Sequence, residues 1–141
     1  MKKLIFIDHG NSFRSPVAEA IFNHNSKEGW KAYSYGTAVI EQKTEGLKLS
    51  ESPFPLGLLI NEMKKRGIDI SQKCCEQLLP EYLEEADKVV SMVEKEYIPD
   101  WLSSGGYEHW EVINPEVHTI EIVNSVIDKL TEKIEILKKS L

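Results

Sequence analysis

The sequence predicts an open, parallel α/β sheet flanked by helices, in one domain spanning residues 1–141. Three observations carry that prediction. Short apolar runs bounded by charge alternate with segments of helical periodicity, the pattern of successive βα units. A chain of 141 residues suits one hydrophobic core. No repeat, low-complexity tract or Pro/Gly-rich linker interrupts it.

The first strand is Leu4-Ile5-Phe6-Ile7, a continuous apolar run expected of a strand covered on both faces. Ser15-Pro16 opens a helix, with Ser15 as the expected N-cap and Pro16 at the first helical position. Val17, Ala18, Ile21 and Phe22 follow at helical spacing. Lys31 to Tyr35 reads as the second strand, ending at Gly36, and Ala38 to Ser52 as a loop without periodicity. From Pro55, the residues Leu58, Leu59, Met63 and Arg66 outline a helix that Gly67 stops. Leu79 to Glu85 is a short helix with Pro80 in its first turn. Lys88 to Met92 is the third strand and Trp110 to Ile113 the fourth. Between them, Pro99 to Gly106 is expected to hold a short helix and a Gly-Gly turn. In the last helix Ile120, Val123, Ile127, Leu130, Ile134, Leu137 and Leu141 share one face.

Composition narrows the function classes. Lys plus Arg is 17 and Asp plus Glu is 23, giving a formal net charge of −6. Such a chain has no general attraction for nucleic acid or an anionic membrane, so neither is expected as a partner. The apolar run after Met1-Lys2-Lys3 stops at Asp8, too short for a secretory core. The adjacent Cys74 and Cys75 do not suit disulfide geometry, and a buried structural role is expected for both. A reduced, cytoplasmic protein is the expectation. His9, His24, His109 and His118 are scattered without ligand spacing, so neither a metal nor a cofactor is expected.

In parallel sheets ligands bind beyond the carboxyl ends of the strands. There the chain reads Asp8-His9-Gly10-Asn11-Ser12-Phe13-Arg14-Ser15. Gly10 and Asn11 tolerate the backbone angles that turn successive N–H groups inward. The following helix adds a positive dipole end, and Arg14 a planar fork for a tetrahedral oxyanion. No Gly-x-Gly-x-x-Gly follows the first strand, which disfavours a dinucleotide site.

His9-Gly10-Asn11-Ser12-Phe13-Arg14-Ser15-Pro16-Val17-Ala18-Glu19-Ala20 resembles the signature loop of the low-molecular-weight protein tyrosine phosphatases and their arsenate-reductase relatives. That loop reads Cys, five residues, Arg-Ser-Pro, then a helix. Ser34-Tyr35-Gly36-Thr37, Gly67 to Ser71, Gln77-Leu78, Ala86 to Met92 and Asn114-Pro115 resemble later family segments in the same order. The resemblance implies a four-stranded parallel sheet in the order 2-1-3-4 with right-handed crossovers. It implies a phosphate-binding loop of His9, Gly10, Asn11, Ser12, Phe13, Arg14 and Ser15. It also implies that Asn11 and Ser34 brace the loop, and that Ser15 donates toward residue 8.

Two departures alter the expected chemistry. Asp8 stands where the family has its nucleophilic cysteine, and Asn114 where it has its general acid. The family reaction needs a thiolate to attack phosphorus and a carboxylic acid to protonate the leaving group. With Asp8, Arg14 and Asn114 at the three catalytic positions, the expectation is an inactive protein. Its Asp8 carboxylate would bond to Arg14 and the backbone amides as a built-in anion. An aspartyl-phosphate route would need a metal and further acids, and residue 10 is glycine. An active phosphotyrosine phosphatase scaffold with engineered substitutions at Asp8 and Asn114 is the alternative.

Recognition is altered too. Ala38 to Ser52 lacks an aromatic, and Glu116 and Val117 follow Pro115, so only Phe54, Tyr35 or Trp110 could wall a phosphotyrosine ring. Phe13 is expected to pack in the core. The expected ligand is a phosphate-like oxyanion or phosphorylated group, with a protein partner as the further candidate.

Overall fold

The computed structural model describes residues 1–103 and 106–141. Four parallel strands, β1 (Lys2–Asp8), β2 (Trp30–Gly36), β3 (Lys88–Ser91) and β4 (Glu108–His109), lie in the order β2-β1-β3-β4. The expected sheet is the observed one. The helices are α1 (Arg14–His24), α2 (Gly57–Lys65), α3 (Pro80–Glu84), α4 (Asp100–Ser103) and α5 (Ile120–Ser140). None of the helices among the described residues is long and apolar enough to cross a membrane.

Alternation along β1 builds the core on both sides of the sheet. Leu4 and Phe6 join a large cluster with Val17, Phe22, Met63 and Ile127, contributed by α1, α2 and α5. Ile5 and Ile7 face the other way, into a smaller cluster with Leu78, Val89 and Leu102. The register sets Asp8 beside Gly36 and Ile7 beside Ser91, so three strands end together at one edge. Every segment leaving that edge can contribute to one site.

β2 is an outer strand, and part of its free side is occupied. Asn23 of α1 donates to Ala32 O at 3.0 Å and accepts from Ala32 N at 2.9 Å. Further along, Gly36 N donates to Glu76 O at 2.9 Å, and Leu78 N to Gly36 O at 2.8 Å.

The structure corrects several expected boundaries. α1 starts at Arg14 with Phe13 at the N-cap position, so Ser15 lies inside the first turn and caps nothing. β4 pairs at Glu108 and His109 rather than over Trp110 to Ile113. Trp110 N still donates to Ser91 O at 2.9 Å, and Trp110 and Val112 are buried with Glu111 and Ile113 exposed. The alternation that suggested a strand is therefore real. Pairing stops because Arg14 Nη1 bonds to both Met92 O (2.7 Å) and Val112 O (3.2 Å), wedging between the two segments.

Two other regions differ in detail. The Ala38 to Ser52 segment contains a 3₁₀ turn at Leu49–Glu51 and a bridge between Lys48 and Cys74, with Leu49 buried. Arg66 is exposed just beyond α2 and pairs with Asp128 and Asn124, while Gly67 (φ 83°) ends the helix as expected. The expected Gly-Gly turn lies outside the described residues.

In α5, Val123, Val126, Ile127, Leu130, Ile134 and Leu137 are buried, and Thr119 Oγ1 accepts from Ile122 N at 3.1 Å at the N-cap. Ile120, expected on that face, is exposed because it sits in the first turn beyond the sheet's cover. Ile127 is fully buried and Ile136 is 63% exposed. In urea unfolding, Ile127→Ala is expected to lose about 2–5 kcal/mol. Ile136→Ala should change stability by no more than about 0.5 kcal/mol.

Candidate functional site

The loop after β1 is organised by one carboxylate. Asp8 is 2% exposed, with Oδ1 accepting from Asn11 N at 2.6 Å and Oδ2 from Ser15 N at 2.9 Å. The second bond supplies one of the amides that a new helix leaves unpaired, and places negative charge at its positive end. Asp8 therefore does the capping expected of Ser15. The donation from Ser15 toward residue 8 is made by its backbone amide.

Asn11 takes a left-handed backbone (φ 50°), which asparagine tolerates better than most residues. Its Nδ2 donates to Ser15 Oγ at 2.9 Å and Ser34 Oγ at 3.0 Å, and its Oδ1 accepts from Glu76 N at 2.9 Å. These bonds tie Asn11 of the loop to Ser34 near the end of β2 and to the segment at Glu76. Thr37 N to Asp8 O (3.0 Å) and Ala38 N to His9 O (2.9 Å) complete the attachment. Gly36 permits it: a Cβ there would stand 2.8 Å from both Asn11 N and His9 O. The amides of Gly10, Ser12 and Phe13 have no hydrogen-bond partner among the described residues.

Arg14 departs from expectation. Its side chain is 2% exposed and forms no ion pair with Asp8. Besides its two carbonyl bonds, Nη1 lies 2.6 Å from Glu94 Oε1, an ion pair whose angles do not suit a hydrogen bond. Nε is buried without a partner. The guanidinium is drawn to the Met92 and Val112 carbonyls because β3 and the chain after β4 separate there.

A cleft of about 200 Å³ lies against the loop. Asp8, His9, Gly10, Ser12, Phe13 and Arg14 line one side, and Gln42, Phe54, Pro55, Leu56, Asn114, Glu116 and His118 the others. Asn114 is exposed on this wall, in the same cleft as Asp8 and Arg14. Phe13 packs in the core as expected and meets the His118 ring edge-on, with centroids 5.2 Å apart. His9 stacks obliquely on Tyr97 at 4.6 Å. His9 and His118 are half-buried, and His118 Nδ1 lies 3.1 Å from Pro55 O.

Of the aromatics considered as ring walls, only Phe54 lines the cleft. Tyr35 packs on Tyr82 beside the smaller cluster, and Trp110 on Phe6 in the larger one. On the far side of Arg14 a second cavity of about 500 Å³ is lined by Arg14, Glu94, His109, Trp110, Glu111 and Lys129. Glu94 and Gln42 were not singled out from sequence. The one signal for Glu94 is its place just past the carboxyl end of β3. Among the described residues no group of three His, Cys, Asp or Glu side chains is placed to hold a metal ion.

With this geometry in view, the comparisons with known proteins are specific. A sequence model of the low molecular weight phosphotyrosine protein phosphatases matches residues 3–141. The chain belongs to that family. It is 26% identical over 137 residues to the glutaredoxin arsenate reductase of Synechocystis sp., covering 96% of this chain and 95% of that protein. The low molecular weight protein tyrosine phosphatase of T. tengcongensis superposes with a TM-score of 0.74 at 26% identity, over 100% of both chains. The Vibrio vulnificus Wzb structure, in complex with benzylphosphonate, superposes with a TM-score of 0.82 at 18% identity, over 99% of each chain. At that identity it supports the fold alone.

Two thiols lie near the family loop in unlike settings. Cys75 is fully buried, and burial with the nearby Asp8 charge pushes its pKa up to about 11. Cys74, expected to be buried as well, is partly exposed because the bridge to Lys48 holds it at the surface of the loop packing. The thiolate is the reactive form, so iodoacetamide at mildly alkaline pH should modify Cys74 and spare Cys75 until the protein is unfolded. Peptide mass mapping checks this, and equal labelling in the native protein contradicts it.

Proposed function

We propose that this family member is catalytically silent, and that its loop binds an oxyanion which is its own Asp8 carboxylate. The observation that carries this reading is the pair of bonds from Asn11 N and Ser15 N to the two Asp8 oxygens. By resemblance, residue 8 is where the family's cysteine attacks phosphorus. A carboxylate there is a weaker nucleophile and sets its charge against an incoming phosphoryl group. Arg14, the loop's oxyanion fork by resemblance, is engaged with Glu94, Met92 O and Val112 O.

Asn114 supports the same reading from the opposite wall of the cleft. Its amide donates hydrogen bonds but cannot deliver a proton and recover it, as the family's carboxylic acid does. Hydrolysis would thus lack both nucleophile and acid. The cradle itself persists in Gly10, Asn11, Ser15 and Ser34, which keep the loop's shape without the family's reactive group. Phosphate-like ligands and phosphorylated groups belong to this cradle when residue 8 carries no competing charge.

Purified protein should hydrolyse an activated aryl phosphate at background rate, with or without magnesium. Robust turnover that vanishes in Asp8→Ala would make Asp8 a nucleophile and overturn the reading.

Restoring the missing groups gives the converse test. Asp8→Cys should create a thiol that reacts with iodoacetate faster than free cysteine, its pKa lowered by the helix N-terminus. Slow aryl phosphate turnover should appear with it. Adding Asn114→Asp should accelerate turnover on the order of 10²–10⁴-fold for poor leaving groups and less for activated ones. An inert double variant with an ordinary thiol would show that the loop is no longer a phosphate cradle.

A further inference from the structure

The lining of the cleft is mostly donors, with one carboxylate set among them. Gly10, Ser12 and Phe13 lie on it, their amides without a partner among the described residues, together with the positive end of α1. Such donors suit the bare oxygens of a tetrahedral oxyanion. Asp8 lines the same cleft, 2% exposed and without an ion pair among the described residues. Each of its oxygens accepts one amide hydrogen bond and keeps a further acceptor position. Gln42 Oε1, buried beside Gly10, is a second acceptor and has no partner.

An anion in this loop thus meets donors over most of its surface and acceptors at one or two points. A bare oxygen turned toward Asp8 sets lone pair against lone pair and charge against charge. An oxygen that carries a proton makes the same contact a short, charge-assisted hydrogen bond. Phosphoryl groups can hold such a proton near neutral pH, and sulfuryl groups of similar size and shape cannot. Amides alone serve both kinds alike. The carboxylate separates them.

The other charged and titratable groups around Asp8 do not supply this distinction. Arg14 of α1 is paired with Glu94, and His9, His118 and Glu116 lie on the cleft lining. Cys75, in the segment before α3, keeps its proton, because burial and the Asp8 charge push its pKa up to about 11. All of these act equally on phosphoryl and sulfuryl ligands of equal charge.

We propose that Asp8 makes this loop selective for an oxyanion that carries its own O–H, a protonated phosphoryl group, over one that carries none. The Gly10, Ser12 and Phe13 amides take the bare oxygens, and the P–OH donates to Asp8. Gln42 Oε1 offers an acceptor to a second O–H. This deepens the reading of the loop as a cradle occupied by its own carboxylate, and rests on it. Turnover tests that reading and ligand selectivity tests this one, so the two fail separately.

The test is an NMR titration following the Gly10, Ser12 and Phe13 amides, with two pairs of ligands matched in charge. Hydrogen phosphate and sulfate are compared in mildly alkaline buffer, where both are dianions. Phenyl phosphate and phenyl sulfate are compared at about pH 5, below the ester's second ionisation near 6, where both are monoanions. In each pair that binds, the phosphoryl ligand should be tighter by at least about tenfold. Binding of hydrogen phosphate assigns the free ion as sufficient. Binding of the phenyl ester alone assigns a phosphorylated group whose stem rests on Phe54 and Pro55. Asp8→Asn should bring the ratio to within about twofold of one, chiefly by strengthening the sulfuryl ligand. Because Asp8 also holds the loop, Asp8→Ser gives a second reading with the same expected loss of selectivity. The unsubstituted protein's ratios decide the matter if neither variant folds. The proposal is overturned if a sulfuryl ligand binds within about twofold of its phosphoryl counterpart. It is equally overturned if neither phosphoryl ligand binds, or if the selectivity survives in either folded variant.

Discussion

The geometry around the family loop depends on where one buried carboxylate finds its hydrogen bonds. An ionised group so far from water is tolerated only with strong partners, and Asp8 finds them in the backbone of its own loop. Both bonds are short range in sequence but they fix three things at once. They end β1, hold Asn11 in a left-handed turn and start α1 one residue before Ser15. Asn11 then carries the constraint outward to Ser34 and Glu76, so loop, edge strand and the segment before α3 form one connected unit.

Arg14 is the second organising residue, and its effect falls on the sheet. Buried within the fold, it gives one nitrogen to two carbonyls from different segments and to the Glu94 carboxylate. Pairing between β3 and β4 ends there. A side chain that its sequence context marks for ligand binding is thus also a structural bolt. Releasing it for a ligand requires replacing those contacts, whose net worth is on the order of a kcal/mol per ordinary hydrogen bond and more where charge is involved.

Most strands and helices are legible in the sequence because they rest on local signals. Apolar runs at Leu4 to Ile7 and Lys88 to Met92, and the spacing from Val123 to Leu137, belong to their own segments. The order came from the ordered family motifs. The misplacements have non-local causes. Ser15 satisfies the local rule for a cap, but the Asp8 carboxylate reaches the same helix end first. Trp110 to Ile113 alternates like a strand, yet the distant Arg14 intervenes. The loop residues and the bracing pair Asn11–Ser34 could be listed from the resemblance. The partner of Arg14 could not, because a glutamate among many acidic residues carries no pattern that marks Glu94.

The Asn23 contact has a consequence for how molecules of this protein meet one another. An outer parallel strand normally offers a template on which another chain can add a strand. Ala32 and Gly36 lie four residues apart on the same free side of β2, and both are already engaged. Asn23 matches the donor and acceptor of Ala32 as a neighbouring backbone would, and the Glu76–Leu78 segment does the same for Gly36. An approaching strand finds too short an interval between them to establish a ladder. A helix side chain and a passing loop thereby guard the β2 edge against pairing with another chain.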